Sequence, residues 1–184
     1  MIAKTSNKTN LTKVKMIRVK SGGKEKWEIL FPLESVFSAG GVTEKRERIL
    51  SIINDAVESI AGQISKKHPS RSKASKLFLA GKTISNARQK ILKDYGIEIS
   101  NFLDIFAQLL KIDRRNVNYI LQLYSSLREE DIDDSIPWTV YRYCVSTKDK
   151  KKSREVLNLY KEGKLKSSSD VRRYVKMLND EHSL

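Results

Sequence analysis

The strongest constraint on folding lies in residues 100–127, SNFLDIFAQLLKIDRRNVNYILQLYSSL, where two helical apolar patterns are separated by only enough chain for a tight turn. Phe102, Leu103, Phe106, Ala107 and Leu110 recur at helical spacing, and Ser100 ahead of them is a residue type that caps helix N-termini. Leu110, Ile112, Val117, Ile120 and Leu121 supply the apolar contacts that a second helix needs to lie across the first. The turn between them is Lys111-Ile112-Asp113, with Asp113 placed to cap the second helix. The small Ala107 marks the closest crossing and Val117 faces it, since large residues there would force the helices apart.

This arrangement leaves Arg114, Arg115, Asn116, Asn118, Tyr119 and Gln122 for the outer face of the second helix. Arg, Asn and Gln can make paired hydrogen bonds to base edges in the major groove, and Arg and Tyr can also hold phosphates. In Ala107, Ile112 and Val117 the stretch resembles the helix-turn-helix of many bacterial, phage and plasmid DNA-binding proteins, whose second helix enters the major groove N-terminus first. Most of those proteins have Gly where Lys111 stands, because the turn often needs positive φ, at a cost to Lys of about 1 kcal/mol. An ordinary helical hairpin in an all-α core would use the same apolar pattern.

Charge narrows the partner. With 36 Lys+Arg against 22 Asp+Glu the formal net charge is +14, an excess that repels itself unless a polyanion offsets it. Nucleic acid is the first partner this implies, an anionic membrane surface the second. No apolar run approaches the roughly 18 residues of a membrane span, and MIAKTSNKTNLTK lacks the apolar core of a signal peptide, which together predict a cytoplasmic protein. One cysteine, Cys144, excludes an intrachain disulfide. With His68 and His182 far apart, neither a metal nor another cofactor is expected.

Residues 1–13 read as a disordered basic arm able to follow a DNA backbone. Val14–Val19 and Lys26–Phe31, around Ser21-Gly22-Gly23-Lys24, carry a hairpin signal, with Trp27, Ile29 and Phe31 alternating on one face. Leu33–Phe37 can form a turn of helix before Gly40-Gly41. Thr43 is then a good N-cap for a long helix whose apolar stripe is Ile49, Leu50, Ile53, Ala56, Val57, Ile60 and Ile64. Such a stripe serves a core or a dimer equally well.

Lys66 to Lys93 contains no acidic residue, and a solvated face usually mixes signs. Lys73, Lys76, Lys82, Arg88 and Lys90 are therefore candidates for phosphate contact. Ile84, Ala87, Ile91 and Leu92 give this stretch a helical face that ends at Tyr95-Gly96. Ala80-Gly81-Lys82-Thr83 has the end of a P-loop, but Lys76 occupies the place of its first glycine and no strand precedes it.

Glu129, Glu130, Asp131, Asp133 and Asp134 form an acidic patch that would suit a metal-dependent nuclease only if the carboxylates converged in a cleft. Ahead of Pro137 they read more simply as a polar link capping a helix with Trp138, Tyr141, Cys144 and Val145. Another helix spans Lys148–Glu162, and any of Ser167, Ser168, Ser169 and Asp170 can cap a last helix carrying Val171, Tyr174, Val175 and Leu178. Arg172 and Arg173 stand beside Tyr174 and join the phosphate candidates.

FAQLLKIDRRNVNYIL, REEDIDDSIP, REVLNLYKEGKL and DVRRYVKML follow one another in an order that resembles the central DNA-binding domain of the ParB/KorB family of plasmid and chromosome partition proteins. The resemblance covers about half the chain, from about Arg88 to Leu178. The family's nucleotide-binding portion is marked by a Gly-Glu-Arg-Arg type motif, and LFLAGKTISNARQKIL near the corresponding place lacks it, so CTP binding is not implied. What the resemblance implies is sequence-specific binding of double-stranded DNA by a homodimer on a palindromic site. The setting would be partition, with its partner protein, or transcriptional control of a plasmid, virus or other mobile element.

The expected fold is mainly α: a basic arm (1–13), a β-hairpin with a long helix as a dimerisation or packing unit (14–65), and a helical DNA-binding domain (66–184). The expected function is site-specific duplex binding, nucleoid- or plasmid-associated, without enzymatic activity. The alternative is an RNA-binding or nucleoprotein-coating protein, and a third is a nucleic-acid enzyme using the acidic patch.

Overall fold

The computed structural model describes residues 12–21, 24–30, 39–64, 72–99, 101–147 and 149–181. They are mainly helical. Strands β1 (Thr12–Ser21) and β2 (Lys24–Leu30) form an antiparallel hairpin, with Arg18 opposite Trp27. Helices α1 (Ala39–Ala61) and α2 (Ala74–Tyr95) follow, then a three-residue strand β3 (Ile97–Ile99). The chain continues through α3 (Phe102–Leu110), α4 (Arg114–Ser126), a 3-10 turn at Glu129–Asp131, α5 (Trp138–Cys144), α6 (Lys150–Lys161) and α7 (Ser168–Glu181).

β3 lies parallel to β1, Thr12 opposite Ile97 and Val14 opposite Ile99, so the sheet order is β2-β1-β3. A pairing across more than eighty residues is invisible to local pattern, and it ties the hairpin to the helical part across the division expected near residue 65. Thr12 and Lys13, expected in the basic arm, belong to β1. The rest of that arm, the Gly22-Gly23 turn, the alternating face of Trp27, Ile29 and Phe31, the turn expected at Leu33–Phe37, Lys66, Lys67, Arg71 and both histidines lie outside what the structure describes.

α1 starts at Ala39, four residues before the expected cap Thr43, and runs through Gly40-Gly41. Each glycine costs a helix about 1 kcal/mol, less than the burial further along returns. Ile49, Ile53, Ala56, Ile60 and Ile64 of the expected stripe are buried and join one continuous cluster with α2 to α7, whereas Leu50 and Val57 are half-buried. α2 ends where expected: Gly96 adopts φ 65°, and its N–H donates to the Leu92 carbonyl. Leu92 itself is 39 % exposed.

The paired helices hold the core through α2. Leu77, Ile84 and Ile91 of α2 are buried with Val117, Ile120 and Leu123 of α4, and Gly81 lets the two helices approach most closely. The P-loop-like residues are thus mid-helix, and Gly81 serves packing. Phe78 and Tyr124 meet edge-to-face across the same interface, ring centroids 5.4 Å apart. Leu123, which the sequence pattern did not single out, is fully buried, while Ile112 and Leu121 are only half-buried.

Candidate nucleic-acid interface

The turn between α3 and α4 is left-handed at Lys111 in spite of its side chain. Lys111 adopts φ 56°, ψ 42°, the only positive φ on a non-glycine among the described residues. The Ile112 N–H then donates to the Ala107 carbonyl at 2.9 Å, closing the end of α3. Asp113 caps α4: its carboxylate accepts the Arg115 N–H at 2.6 Å. At the start of α3 the N-cap position falls on Asn101 rather than Ser100, which is outside the described residues.

α4 buries Val117, Ile120 and Leu123 along one side. Arg115, Asn118 and Gln122, spaced by three and four residues, line the other. Three expected readers, Arg114, Asn116 and Tyr119, depart from this row. Asn116 stands one turn before buried Ile120 and two before buried Leu123, so it belongs to the inner flank and is half-buried. Arg114 is exposed but ion-paired with Asp104 of α3 at 3.2 Å. Gln122 is half-buried; its Oε1 is itself buried, with no hydrogen-bond partner among the described residues.

Tyr119 occupies the edge of α4 that faces α5 and α7. The Arg115 Nε–H donates to its hydroxyl at 3.2 Å. The guanidinium carbons of Arg115 and Arg142 lie 5.7 Å and 5.0 Å from its ring centroid, both within cation–π range. These side chains open onto a surface groove completed by Tyr143 of α5 and Arg172, Lys176 and Asn179 of α7. Among the described residues Asp180 is the one acid on its wall. Asn179 is held by the Ser146 carbonyl at 3.3 Å. Among the described residues none of the four cations of the groove has an ion-pair partner. The Arg142 Nε–H is buried, with no acceptor among the described residues.

The phosphate candidates separate into three groups. Arg172 lines the groove beside Arg115. Lys76 and Lys82 line a different depression with Leu79, Glu129 and Ile132, and Lys90 is exposed further along α2. Lys73, Arg88 and Arg173 each face a carboxylate, Asp134 at 3.9 Å, Glu98 at 3.2 Å and Asp170 at 2.8 Å. A single-sign run in sequence is therefore partly neutralised by acids from distant positions.

The acidic patch does not converge. Asp131 accepts the Arg128 N–H, Asp133 the Ser135 N–H, and Asp134 the Ser75 N–H and hydroxyl at 2.9 and 3.0 Å. Hydrogen bonds from Ser135 hold Asp133 below the usual carboxylate range, and the Ser75 N–H does the same for Asp134. Each of these three carboxylates is committed to a backbone donor, and no group of three metal-ligating side chains occurs among the described residues. Asp134 in effect caps α2, whose own N-cap residue, Lys73, makes no side-chain cap. For α7 the choice left open by sequence falls on Ser167: its hydroxyl accepts the Asp170 N–H while the Asp170 carboxylate accepts the Ser167 N–H.

Arg142, Tyr143 and Lys176 were not singled out from the sequence. Their only signal was the basic excess of residues 142–176, twelve Lys or Arg against four acids, which opens with Arg142-Tyr143. Trp138, Tyr141, Cys144 and Val145 are core, as expected. No helix among the described residues is long and apolar enough to cross a membrane. No protein-family model, curated protein or solved structure matches the chain.

Proposed function

We propose that this is a sequence-specific double-stranded DNA-binding protein that reads the major groove with α4. One observation carries the reading: the row Arg115, Asn118 and Gln122 runs, at Arg115, into a groove of four cations that have no ion-pair partners among the described residues. Arg, Asn and Gln are the side chains with paired donors and acceptors for base edges, and the adjoining cations suit the phosphates that flank them. The tight turn before α4 and the overall charge of +14 support the same reading. Arg114 and Asn116 are assigned a lesser share, as an ion-paired residue and an inner-flank residue.

The ParB/KorB resemblance adds the setting: a homodimer on a palindromic site, nucleoid- or plasmid-associated, in partition or transcriptional control of a mobile element. The chemistry requires no cofactor and no catalytic step.

Selection of the purified protein on a random duplex library at two salt concentrations tests this. Enrichment of one palindromic motif is the expected result, with half-site spacing that locates two copies of α4. Salt-sensitive binding without any enriched motif would instead favour a coating or RNA-binding role.

A further inference from the structure

The contacts around Tyr119 carry a more specific assignment, one that rests on duplex binding by this face. We propose that Arg142 of α5 is an anchor for one backbone phosphate of duplex DNA, and that Tyr119 is a positioning residue that orients it rather than a reader of bases.

Tyr119 has little left with which to read a base. Its ring lies within reach of two guanidinium groups, and its hydroxyl already accepts a hydrogen bond from Arg115. Arg142, by contrast, is anchored at its root and unsatisfied at its head. α5 is pinned by buried Trp138, Val140, Tyr141 and Cys144, so the base of the side chain is held in place. Its guanidinium rests over the Tyr119 ring, while Nε is buried with no acceptor among the described residues.

A buried donor left unpaired is costly, and a guanidinium beside three further cations adds repulsion. A phosphodiester answers the repulsion: its charge offsets Arg115, Arg142, Arg172 and Lys176 across the groove, and its two free oxygens match the planar fork of an arginine. Among the described residues a protein carboxylate does not fill this role, since Asp180 is the only acid on the wall and no ion pair joins it to Arg142.

The test measures binding of the full chain to a random-sequence duplex, and to any selected site, across a range of salt concentrations. Arg142→Gln should lower affinity roughly tenfold or more on both duplexes. It should also reduce the slope of log affinity against log salt by about 0.9, the value of one neutralised phosphate. Arg142→Lys should lose affinity while keeping most of the slope, because it retains the charge without the fork. Tyr119→Leu should weaken binding alone yet add little to Arg142→Gln, the non-additivity of a residue acting through its neighbour. Circular dichroism melting confirms that each variant is folded, and Arg142→Lys keeps the question answerable should Arg142→Gln not be.

An unchanged slope in Arg142→Gln, or additive losses from Tyr119 and Arg142, would overturn the assignment. So would tighter binding of single-stranded RNA than of duplex, with Arg142→Gln affecting RNA alone. If the library yields no motif, base reading fails, and the anchor still stands or falls by the slope on random duplex. Absence of duplex binding altogether overturns both.

Discussion

Gly81 of α2 lies directly against the backbone carbonyl of Ile120 in α4, so close that a β-carbon at position 81 would overlap that oxygen and fall 2.8 Å from the Tyr124 β-carbon. Neither neighbour is the free end of a flexible side chain, so a methyl group there must move a helix backbone. Gly81→Ala should cost about 1–3 kcal/mol, as overpacking does, despite alanine's better helix propensity. The midpoint of urea unfolding checks this, and an unchanged or raised midpoint would contradict the close approach. Because α4 bears the candidate reading row, the variant should also bind duplex DNA more weakly under conditions where it remains folded.

Lys111 is held in the left-handed region, where a β-carbon is disfavoured. Lys111→Gly should therefore stabilise the protein by about 1 kcal/mol even though it adds freedom to the unfolded chain. Thermal unfolding reads the sign: a lower melting temperature would mean that the Lys side chain makes a compensating contact.

Asp134 and Ser75 join the start of α2 to the link before α5. The Asp134 carboxyl is held below its ordinary value of 3.8, chiefly by the Ser75 N–H. A depressed folded-state pKa means that the stabilisation is present at pH values above the unfolded one and is lost as pH falls through the folded one. Asp134→Ala should cost about 1 kcal/mol at pH 7, the usual worth of a helix cap, and progressively less below about pH 4. Denaturant midpoints of both proteins at pH 7 and pH 3 test it; a gap that does not narrow at pH 3 would rule out a carboxylate cap.

The Tyr141 hydroxyl is buried in the link that follows α4, accepting the Asp133 N–H at 2.7 Å and donating to the Asp133 carbonyl at 3.1 Å. Burial, the largest influence, pushes its phenol up to about 12 from 10.0. For an acid with a raised folded pKa the stabilisation is complete below pH 10 and lost as pH rises through about 12. Tyr141→Phe, which strands the Asp133 N–H, should cost about 1–3 kcal/mol at neutral pH. Difference absorption of phenolate should show one tyrosine titrating only as the protein unfolds in alkali.

Asn118 and Lys76 separate base reading from charge. Asn118→Ala should lower the preference for a selected site over random duplex by about 1–3 kcal/mol, while Lys76→Ala should weaken both alike. Competition binding against the two duplexes decides, and equal losses for both variants on both duplexes would contradict the division.

Sequence alone determined what neighbours along the chain decide. The two helices around Lys111-Ile112-Asp113, the Asp113 cap, the stop at Gly96 and the apolar stripe of α1 all follow from spacing and backbone stereochemistry within a few residues. The hairpin strands were legible for the same reason, though not their parallel partner β3.

Tertiary structure decided which charges are free. The basic run of residues 66–93 looked uniform, yet Lys73 and Arg88 are met by Asp134 and Glu98, whereas Arg142 and Lys176, unremarked in the sequence, face Arg115 and Arg172 across one groove. Periodicity says that a residue is on the outside of a helix, but the neighbour that will neutralise it arrives from another helix. Asn116 shows the same limit at finer scale: it has the chemistry of a base reader, and the burial of Leu123 beside Ile120 puts it on the inner flank.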